Sequence, residues 1–566
     1  MNNQQIAQIF YEIAEILEMK DIPFKPWAYR KAAQSIESLT RDIKEIYEEN
    51  GLKSLKEIPG VGESIAKKIE ELIKTGHLRA YEKLKRKMPV NLEELGSIQG
   101  MGPKTIQKLY KKLKIKNLKE LEKAAKSGKI RKIAGFGEKR ERELLENIGM
   151  KKKKTKRFLL GLIFPEAKEI RDSLKQLREV KKIEIGGSLR RMKETIGDVD
   201  ILAVSNDPEK TMDFFTKRKE VVKILVKGLN KSSVRLKSGI NADLRLIQME
   251  SYGSALQYFT GNKSHNIKLR NIAREKGLKL SEYGIFKGNR KIAGKTEEEV
   301  YKRLGLRYIE PELREDTGEI ESAKQNKLPN LIKHYDIKGD LHMHSDYSDG
   351  NNTIKEMAEY ASILGHKFIA ITDHGFYKIA GGMDEKEIIN QKKEINRIRG
   401  IKIFHGIEAN ITKEGLINVP DRILKDIDVV IAAIHSGFKQ DKQAITKRLL
   451  TAMDNKYVNI IAHPTGRLLF KRKGYEFDLQ RIFDKAKERG IALEINAFLN
   501  RLDLNDVNVK LAVDNKVKLS IGTDAHSKEQ LDFYKLGIAV ARRGWAKKED
   551  IINTYSMQKL ERFFRR

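Results

Sequence analysis

The stretch "IEIGGSLRRMKETIGDVDILAV" (residues 183–204) places a glycine turn between two short runs rich in isoleucine and valine. Such β-branched runs predict strands, here at 183–185 and 199–204. Asp198 and Asp200 are two positions apart, so on a strand their carboxylates project from the same face. Two carboxylates on one face repel each other unless a cation neutralises them, and Mg²⁺ is commonly held in this way together with substrate phosphates. The stretch therefore predicts a divalent-metal site on a β-sheet.

A third carboxylate and a phosphate-binding loop extend this predicted site. The run "NADLRLIQ" (241–248) predicts another strand and supplies Asp243. Three carboxylates can hold two Mg²⁺ or Mn²⁺ ions about 4 Å apart, one acting on a hydroxyl group and one on a triphosphate. The glycine turn offers the Gly187 N–H, the Ser188 hydroxyl and the Arg191 guanidinium to phosphate oxygens. The combined pattern favours nucleotidyl transfer.

Three similar glycine turns occur upstream, each between an apolar residue and an amphipathic helical pattern. They are "IPGVGESIAKKI" (58–69), "IQGMGPKTIQKL" (98–109) and "IAGFGEKRERELL" (133–145), with glycine pairs at Gly60 and Gly62, Gly100 and Gly102, and Gly135 and Gly137. Glycine lets backbone N–H groups approach a phosphate, and the N-terminus of the following helix adds a favourable dipole. The repeat favours binding to a nucleic-acid backbone, although turns with a purely structural role give a similar pattern.

The composition limits the classes of function. The chain has 566 residues, enough for several domains, and a formal net charge of +34. This surplus favours a polyanionic partner, whereas a lysine-rich but generically solvated surface is the alternative interpretation. The sequence contains no cysteine, which excludes disulfides, thiolate metal sites and cysteine nucleophiles. Neither a signal peptide nor an apolar run of transmembrane length is present, so we expect a cytoplasmic protein.

The segments "GGSLRR", "GDVD", "NADLRLI" and "ALQYFTGNKSHNIKLRNIAREKGLKLSEYGIF" closely resemble the palm and thumb of the family X DNA polymerases, the group that contains DNA polymerase beta. The resemblance covers residues 1–317, because the hairpins lie where this family has its lyase and fingers domains. It implies an enzyme that extends a 3′-hydroxyl on gapped or primed DNA with deoxynucleoside triphosphates. It also implies catalytic roles for Asp198, Asp200 and Asp243.

The same resemblance assigns further residues to the substrates. It implies triphosphate contacts for Ser188 and Arg191, and contacts with the incoming sugar or the nascent base pair for Tyr258, Phe259, Gly261, Asn266 and Arg270. Lys263 stands where the type member has an aspartate beside the incoming base, which departs from the pattern.

Lys68 aligns with the lysine that forms a Schiff base during deoxyribose-phosphate removal in this family. Such an amine needs a lowered pKa, for which Lys67 and Lys25 are the candidate neighbouring cations. Ser64 replaces a supporting lysine of the type member, so a solvated helix lysine is the alternative interpretation.

Beyond residue 335, short apolar runs alternate with helical patterns, which predicts a parallel α/β sheet or barrel. The seven runs are 337–344, 366–374, 401–409, 428–436, 458–464, 490–497 and 517–526. Ligand-type residues lie at almost every strand end, where α/β barrels place their chemistry. Nine of them form a candidate metal centre: His342, His344, Asp349, His374, Glu408, His435, His463, Asp524 and His526. Mixed imidazole and carboxylate ligands favour Zn²⁺, Mn²⁺ or Fe²⁺ over Mg²⁺.

These nine residues are similar to the ligand pattern of the polymerase and histidinol phosphatase (PHP) domain, with a match that spans residues 336–566. The resemblance implies a distorted seven-stranded barrel with up to three Mn²⁺ or Zn²⁺ ions and metal-assisted phosphoester hydrolysis. The implied reaction is 3′–5′ exonuclease action or 3′-end processing, with cleavage at abasic (AP) sites as a further activity. Two alternatives remain: a small-molecule phosphatase of the histidinol-phosphate type, and a DNA scaffold whose palm is inactive.

We therefore predict a multidomain enzyme of DNA repair that binds DNA and deoxynucleoside triphosphates as a monomer, without membrane contact. Its predicted segments are a lyase-like all-α helix–hairpin–helix domain (1–85), helix–hairpin–helix fingers (86–150), an α+β nucleotidyltransferase palm (151–235), a thumb (236–317), a linker (318–335) and a distorted (β/α)7 PHP barrel (336–566).

Overall fold

The computed structural model describes residues 3–39, 43–86, 88–96, 98, 101–153, 157–376 and 381–565. Helices dominate the first part, a five-stranded and a three-stranded sheet follow, and a parallel sheet forms the C-terminal part. This order confirms the predicted fold class, with helical N-terminal domains, an α+β middle and a C-terminal barrel. Among the described residues, no helix is both long enough and apolar enough to span a membrane.

The N-terminal helices pack around two hydrophobic cores. They are α1 (Asn3–Met19), α2 (Lys25–Ser38), α3 (Ile43–Asn50), α4 (Leu52–Lys56), α5 (Glu63–Thr75), α6 (Arg79–Arg86), α7 (Leu92–Gly96), α8 (Pro103–Leu113), α9 (Leu118–Lys126) and α10 (Glu138–Lys153). The apolar stripe of α1 is buried as its spacing predicts, because Phe10 and Ile13 lie in the first core. Ile16 and Met19 lie in the second core, so α1 connects the two.

A five-stranded sheet carries the first predicted site. This region contains β1 (Phe158–Leu159), α11 (Leu160–Lys175), β2 (Val180–Ile185), α12 (Gly187–Arg190), β3 (Thr195–Ile196), β4 (Asp198–Ser205), α13 (Pro208–Thr216), β5 (Val221–Lys227), β6 (Lys231–Leu236) and β7 (Asn241–Leu246). The sheet order is β2–β4–β7–β6–β5, with β4 and β7 parallel and the other neighbours antiparallel. The predicted boundary at 235/236 falls inside β6, because the sheet continues to the end of β7.

The predicted thumb combines helices with a three-stranded antiparallel sheet. It contains α14 (Tyr252–Thr260), α15 (Lys263–Glu275), β8 (Lys279–Ser281), β9 (Gly284–Lys287), β10 (Arg290–Ala293), α16 (Glu297–Arg303) and α17 (Glu319–Lys324). Residues 318–335 differ from a free linker, since Ile320, Ala323 and Leu331 are buried in the thumb core. Although the segment is polar in composition, it contains a short amphipathic helix, α17, that packs on the thumb.

All seven predicted C-terminal runs form strands. The barrel region contains β11 (Gly339–Met343), α18 (Ile354–Ile363), β12 (Phe368–Ile371), β13 (His374–Gly375), α19 (Glu385–Ile395), β14 (Lys402–Asn410), α20 (Asp421–Leu424), β15 (Val429–Ala433), α21 (Lys442–Asp454), β16 (Val458–Ile461), α22 (Leu479–Arg489), β17 (Ala492–Asn496), α23 (Asp506–Asp514), β18 (Leu519–Gly522), α24 (Tyr534–Arg543) and α25 (Met557–Phe564). Seven strands pair in parallel in the order β11–β12–β14–β15–β16–β17–β18, and short β13 pairs with β14. A parallel bridge between Met343 and Ala525 brings the two ends together, so the barrel is nearly closed.

The barrel packs directly against the palm and thumb. A Cβ added to Gly161 of α11 would lie 2.9 Å from Cβ of Leu499 and 3.0 Å from Cδ1 of Leu536, so the two parts approach at backbone distance. Apolar residues from both sides belong to one continuous core. Ion pairs also cross this boundary, among them Arg467 with Glu194 and Arg542 with Glu312.

Candidate active sites

The palm brings the three predicted carboxylates onto neighbouring strands. Asp198 and Asp200 alternate along β4, and Asp200 is the register partner of Asp243 in β7. Because β4 and β7 are parallel and in register, the three side chains project from one face. Burial, and after it the charges of Asp198 and Asp243, raise the pKa of Asp200 to about 6.

Basic side chains partly balance this acidic group. Lys231 Nζ lies 2.8 Å and Arg245 Nη2 lies 3.3 Å from Oδ2 of Asp243. Arg245 also stacks over the ring of Phe259 at 4.7 Å. The donor set consists of carboxylates on an accessible face, and the raised pKa of Asp200 shows that their mutual repulsion is not fully relieved. This chemistry fits divalent cations that prefer oxygen ligands.

The glycine turn lies directly over one carboxylate. Gly187 has a φ of 63°, and a Cβ there would lie 2.7 Å from Oδ2 of Asp200. Any larger residue would therefore have an unfavourable backbone conformation, and its Cβ would also clash with the Asp200 carboxylate. Ser188 follows in the first turn of α12, half-buried, and Gly186 donates its N–H to the carbonyl of Asp200 at 2.7 Å. The turn thus places Gly187 and Ser188 beside the carboxylates.

Arg191 lies next to this turn, but its guanidinium is already engaged. Nε donates to Oε1 of Glu315 at 2.7 Å, and Nη1 donates to the carbonyl of Thr260 at 2.5 Å. The preceding Arg190 bonds instead to Glu297 and to the hydroxyl of Thr260. A triphosphate would have to compete with Glu315 for Arg191.

The "YFTG" segment ends α14 and faces the start of α15. The rings of Tyr258 and Phe259 form an edge-to-face pair with centroids 5.2 Å apart. Asn266 donates to the carbonyl of Tyr258 at 2.7 Å, and a Cβ at Gly261 would lie 2.5 Å from its Oδ1. Asn266 therefore holds the turn in place in this structure, while Arg270 is exposed further along α15.

The barrel brings all nine predicted ligands to one end. The groups whose candidate ligand atoms all lie within 4.8 Å of one another are, among the described residues, three: His344, Asp349, His374 and His526; His342, His344 and Asp524; and His374, Glu408 and His435. His463 joins through Glu408, since its Nε2 lies 3.1 Å from Oε1 of that residue. The strand ends converge as the parallel sheet predicts.

Glu408 is the centre of this cluster. Its Oε2 lies 3.5, 3.4 and 3.1 Å from ring nitrogens of His342, His344 and His374. Its Oε1 lies 3.1 Å from Nε2 of both His435 and His463. Burial acts to raise the pKa of Glu408, but the facing imidazoles outweigh it and hold the pKa well below its usual value. One ionised carboxylate therefore faces five imidazoles.

Several ring nitrogens of the cluster are available as ligand atoms. Within the described part of the chain, Nε2 of His342, both nitrogens of His344 and Nδ1 of His463 are buried without a hydrogen-bond partner. Such nitrogens are destabilising unless they bind something. Burial lowers the pKa of His374 to about 3, so it is neutral near pH 7, as a metal ligand must be. These features fit divalent metal ions.

Two ligand positions also have unusual backbone conformations. His463 has a φ of 28° and Asp524 a φ of 54°, in the left-handed region that non-glycine residues rarely occupy. Such positions concentrate at functional sites, where the surrounding fold holds them.

Sequence reasoning missed two residues that support the ligands. Glu494 in β17 accepts from Nδ1 of His342 at 2.6 Å and from the backbone N–H of His463 at 2.7 Å. Arg501 Nε lies 3.2 Å from Oδ2 of Asp524. A signal for Glu494 was present, because it is the acidic residue of the one predicted strand without an assigned ligand. Arg501 lies in a loop and gave no such signal.

The hairpin glycines are positioned as turns before helices. Gly60 and Gly135 have φ values of 77° and 84°, and Gly62 and Gly102 are the N-caps of α5 and α8. Gly137 immediately precedes α10. Gly100 lies outside the described residues.

Lys68 lies on α5 beside a shallow pocket that is also lined by Lys67 and Ser64. Its Nζ donates to the hydroxyl of Ser64 at 2.8 Å. Partial burial lowers the pKa of Lys68, and Lys25 adds to this effect. Lys67 instead pairs with Glu63 at 2.8 Å. Of the two expected cations, only Lys25 therefore acts on Lys68.

Four family models match successive parts of the chain. A helix-hairpin-helix domain matches residues 1–78, a SAM-like helix-hairpin-helix tandem matches 92–149, the DNA polymerase beta thumb matches 255–315, and the PHP domain matches 340–498. Their order follows the helices, thumb and barrel described above.

Curated relatives match either the whole chain or about a third of it. The chain is 37% identical over 576 residues to the "DNA polymerase/3'-5' exonuclease PolX" of Bacillus subtilis (strain 168), covering 100% of both proteins. It is 35% identical over 198 residues to a "Probable phosphatase" of Caldanaerobacter subterraneus, covering 33% of this chain and 75% of the relative. A "Probable phosphatase" of Thermoanaerobacter sp. (strain X514) is 31% identical over 227 residues, covering 38% of this chain and 89% of the relative.

Proposed function

Because the chain belongs to the family X DNA polymerases that carry a C-terminal PHP domain, we propose that its palm extends DNA 3′ ends and its barrel removes nucleotides from them. The observation that carries this proposal is the presence of two separate candidate metal centres, three carboxylates on palm strands and nine ligand-type residues at one end of the barrel. The first set suits nucleotidyl transfer and the second suits hydrolysis. A hydrolase joined to a polymerase can remove misincorporated nucleotides.

In the palm, Asp198, Asp200 and Asp243 would hold two ions, Mg²⁺ or Mn²⁺. Divalent ions in either centre would neutralise phosphate charge and lower the pKa of the attacking hydroxyl group or water. Gly187 N–H and the Ser188 hydroxyl, already beside Asp200, would orient the triphosphate, and Arg191 would exchange Glu315 for a phosphate oxygen. The chain's own contribution is thus alignment and charge.

In the barrel, the nine-residue cluster with Glu408 at its centre would hold up to three ions, Mn²⁺ or Zn²⁺. Glu494 accepts from Nδ1 of His342 and so leaves Nε2 free to act as the ligand atom. The neutral imidazole of His374 needs no deprotonation before it binds a metal.

The helical hairpins would bind gapped or primed DNA through its phosphates, without selecting a sequence. The positive charge of the chain supports such a substrate. The finer proposal is cytoplasmic DNA repair by a monomer, with cleavage at abasic sites by the barrel. Lys68, whose pKa is lowered, would remove 5′-deoxyribose phosphate. Borohydride trapping of a Lys68→Ala variant on such a substrate tests this last role, because only the wild type should form a covalent adduct.

The decisive experiment compares three proteins on a 5′-labelled primer–template with Mn²⁺, with and without nucleotides. Wild type is expected to extend primers when nucleotides are present and shorten them when they are absent. Asp198→Ala/Asp200→Ala should lose extension and keep degradation, because only the palm loses its ligands. His342→Ala/His344→Ala should show the opposite pattern.

Both variants should retain the wild-type circular dichroism spectrum, so that loss of activity reports the site and not the fold. Primer degradation that survives in the histidine variant would refute the assignment of the barrel. Extension that survives in the aspartate variant would refute the assignment of the palm, whereas a wild type that extends no primer would support a scaffold role.

A small-molecule phosphatase is the second candidate for the barrel, supported by the two relatives named probable phosphatases. A histidinol-type phosphomonoester assayed beside a labelled DNA 3′ end separates the two. The proposal expects the DNA end to be hydrolysed with the higher kcat/KM.

A further inference from the structure

Arg543, at the end of barrel helix α24, reaches across the domain boundary to the nucleotide loop of the palm. It is only 5% exposed. Nη1 donates to the backbone carbonyl of Arg191 at 3.0 Å and lies 3.4 Å from Oε1 of Glu315. Nη2 pairs with Asp506 at the start of α23, which fixes the direction of the guanidinium. A barrel residue is therefore in direct contact with the residue proposed to bind the triphosphate.

Glu315 contacts residues of the barrel, the palm and the thumb. Its Oε1 accepts from both Arg191 Nε, at 2.7 Å, and Arg543 Nη1. Its Oε2 lies 3.3 Å from Nδ2 of Asn262, the N-cap of α15, and 3.5 Å from Lys193 Nζ. Burial acts to raise the pKa of Glu315, but Arg191 and then Arg543 outweigh it and lower the pKa to about 2. The carboxylate is thus ionised and needs a cation beside it.

This arrangement has a consequence for nucleotide binding. When Arg191 turns from Glu315 to a phosphate, a partly buried carboxylate would lose its closest partner. An unpaired buried charge is strongly destabilising. Without another cation beside Glu315, this cost would oppose the movement of Arg191 to the phosphate. Arg543 stays on the same oxygen and keeps Glu315 neutralised.

We infer that Arg543 of the barrel is a positioning residue for nucleotide binding in the palm, acting through Glu315 and Arg191. This inference rests on the proposed role of Arg191 in binding the triphosphate. The barrel then serves polymerisation directly, in addition to its own hydrolytic site.

The test is steady-state primer extension by the full-length protein with varied nucleotide concentration. Arg543→Met is expected to raise KM for the nucleotide by about 5- to 50-fold, while kcat changes less than about threefold, because the residue acts on binding of the triphosphate. Arg543→Lys should restore much of the affinity, since a single positive charge can still neutralise Glu315. Degradation of a single-stranded primer should stay within about twofold of wild type for both variants.

Two further variants separate this effect from general loosening of the interface. Arg542→Met is the matched control, because Arg542 pairs with Glu312 at 2.7 Å across the same boundary without contacting Glu315 or Arg191. It should leave KM unchanged. In a Glu315→Gln background, Arg543→Met should have little additional effect, since no carboxylate is left to neutralise.

An unchanged KM in Arg543→Met would overturn the inference, as would equal effects of Arg542→Met or full additivity with Glu315→Gln. Arg191→Ala in the same series tests the proposed role of Arg191 separately from the inferred role of Arg543. If its KM is unchanged, the proposed nucleotide-binding role of Arg191 fails. If its KM rises while that of Arg543→Met does not, only the inference fails.

Discussion

The palm and the barrel both gather acidic side chains, but they balance the charge in opposite ways. In the palm, burial and neighbouring carboxylates raise the pKa of Asp200 to about 6, so the acidic group is under-neutralised. In the barrel, imidazoles hold the pKa of Glu408 well below its usual value. Palm carboxylates lie on an accessible sheet face, whereas most barrel ligands are buried.

This contrast matches two kinds of metal use. A site that encloses its ligands can hold ions permanently, as structural and hydrolytic centres do. A site with few protein ligands and repelling carboxylates is completed by substrate phosphates. We therefore expect the barrel site to be organised before substrate arrives and the palm site to be completed by the substrate.

The largest expected effect comes from removing the charge at the centre of the barrel. Glu408→Gln keeps the shape but loses the ionised carboxylate that faces five imidazoles. We expect primer degradation to fall by about 10³-fold or more, because the cluster would lose the negative charge at its centre that helps to hold divalent ions. Primer extension by the same preparation is the control and should stay within about twofold. Degradation that falls less than tenfold would contradict the central role of Glu408.

A smaller effect is expected from the residue that orients His342. Glu494→Gln removes a charged acceptor at 2.6 Å from Nδ1 without removing a ligand. Loss of such support typically lowers metal affinity or activity by roughly 10- to 100-fold. The loss of metal affinity is measured as the Mn²⁺ concentration that gives half-maximal primer degradation. Added Mn²⁺ should restore part of the rate.

Glu488→Gln, on an exposed side chain at the end of α22, is the matched control for that measurement. Equal behaviour of the two variants would show that Glu494 is not needed to orient the ligand.

The smallest effect concerns the metal-free palm and has a defined pH dependence. Because the pKa of Asp200 is raised from 3.8 to about 6, the folded protein binds this proton more tightly than the unfolded chain does. Ionised Asp200 thus destabilises the metal-free fold above about pH 6, and the penalty disappears as pH falls toward 4. Asp200→Asn should raise the melting temperature in chelator at pH 7.5 by about 2–6 °C, and much less at pH 4.5.

Glu408→Gln should shift the same melting temperature downward at pH 7.5. The pKa of Glu408 is lower in the folded protein than in the unfolded chain. Its ionised form therefore stabilises the fold at every pH above the pKa that the group has in the unfolded chain. Melting-temperature shifts of the same sign in Asp200→Asn and Glu408→Gln would contradict the opposite charge balance of the palm and barrel sites.

Sequence reasoning was successful where the signal was local. Strand periods placed β4, β7 and the seven barrel strands, because alternation and β-branched runs reflect backbone preference directly. The nine ligand-type residues converge because parallel strands bring their carboxyl ends together. The residues carried over from the family resemblance, including Arg270, stay predictions.

The remainder depends on contacts between distant segments. Glu494 lies 152 residues from His342 and Arg543 lies 228 residues from Glu315, so no local pattern predicts either pair. The polar composition of residues 318–335 predicts a linker, whereas Ile320, Ala323 and Leu331 are buried in the thumb core and dock the segment there. Lys67 is a predicted neighbouring cation of Lys68, but its Nζ pairs at 2.8 Å with Glu63, four residues earlier on the same helix.

Gly161 bears on whether the two halves of the chain can be separated. Its hydrogen allows α11 to lie against Leu499 and Leu536, inside a core that both halves share. A cut between thumb and barrel would leave each fragment with an uncovered apolar face of the kind that promotes aggregation. The barrel and the palm thus depend on each other structurally: we expect any larger residue at position 161 to weaken the attachment of the barrel to the palm without touching either candidate site.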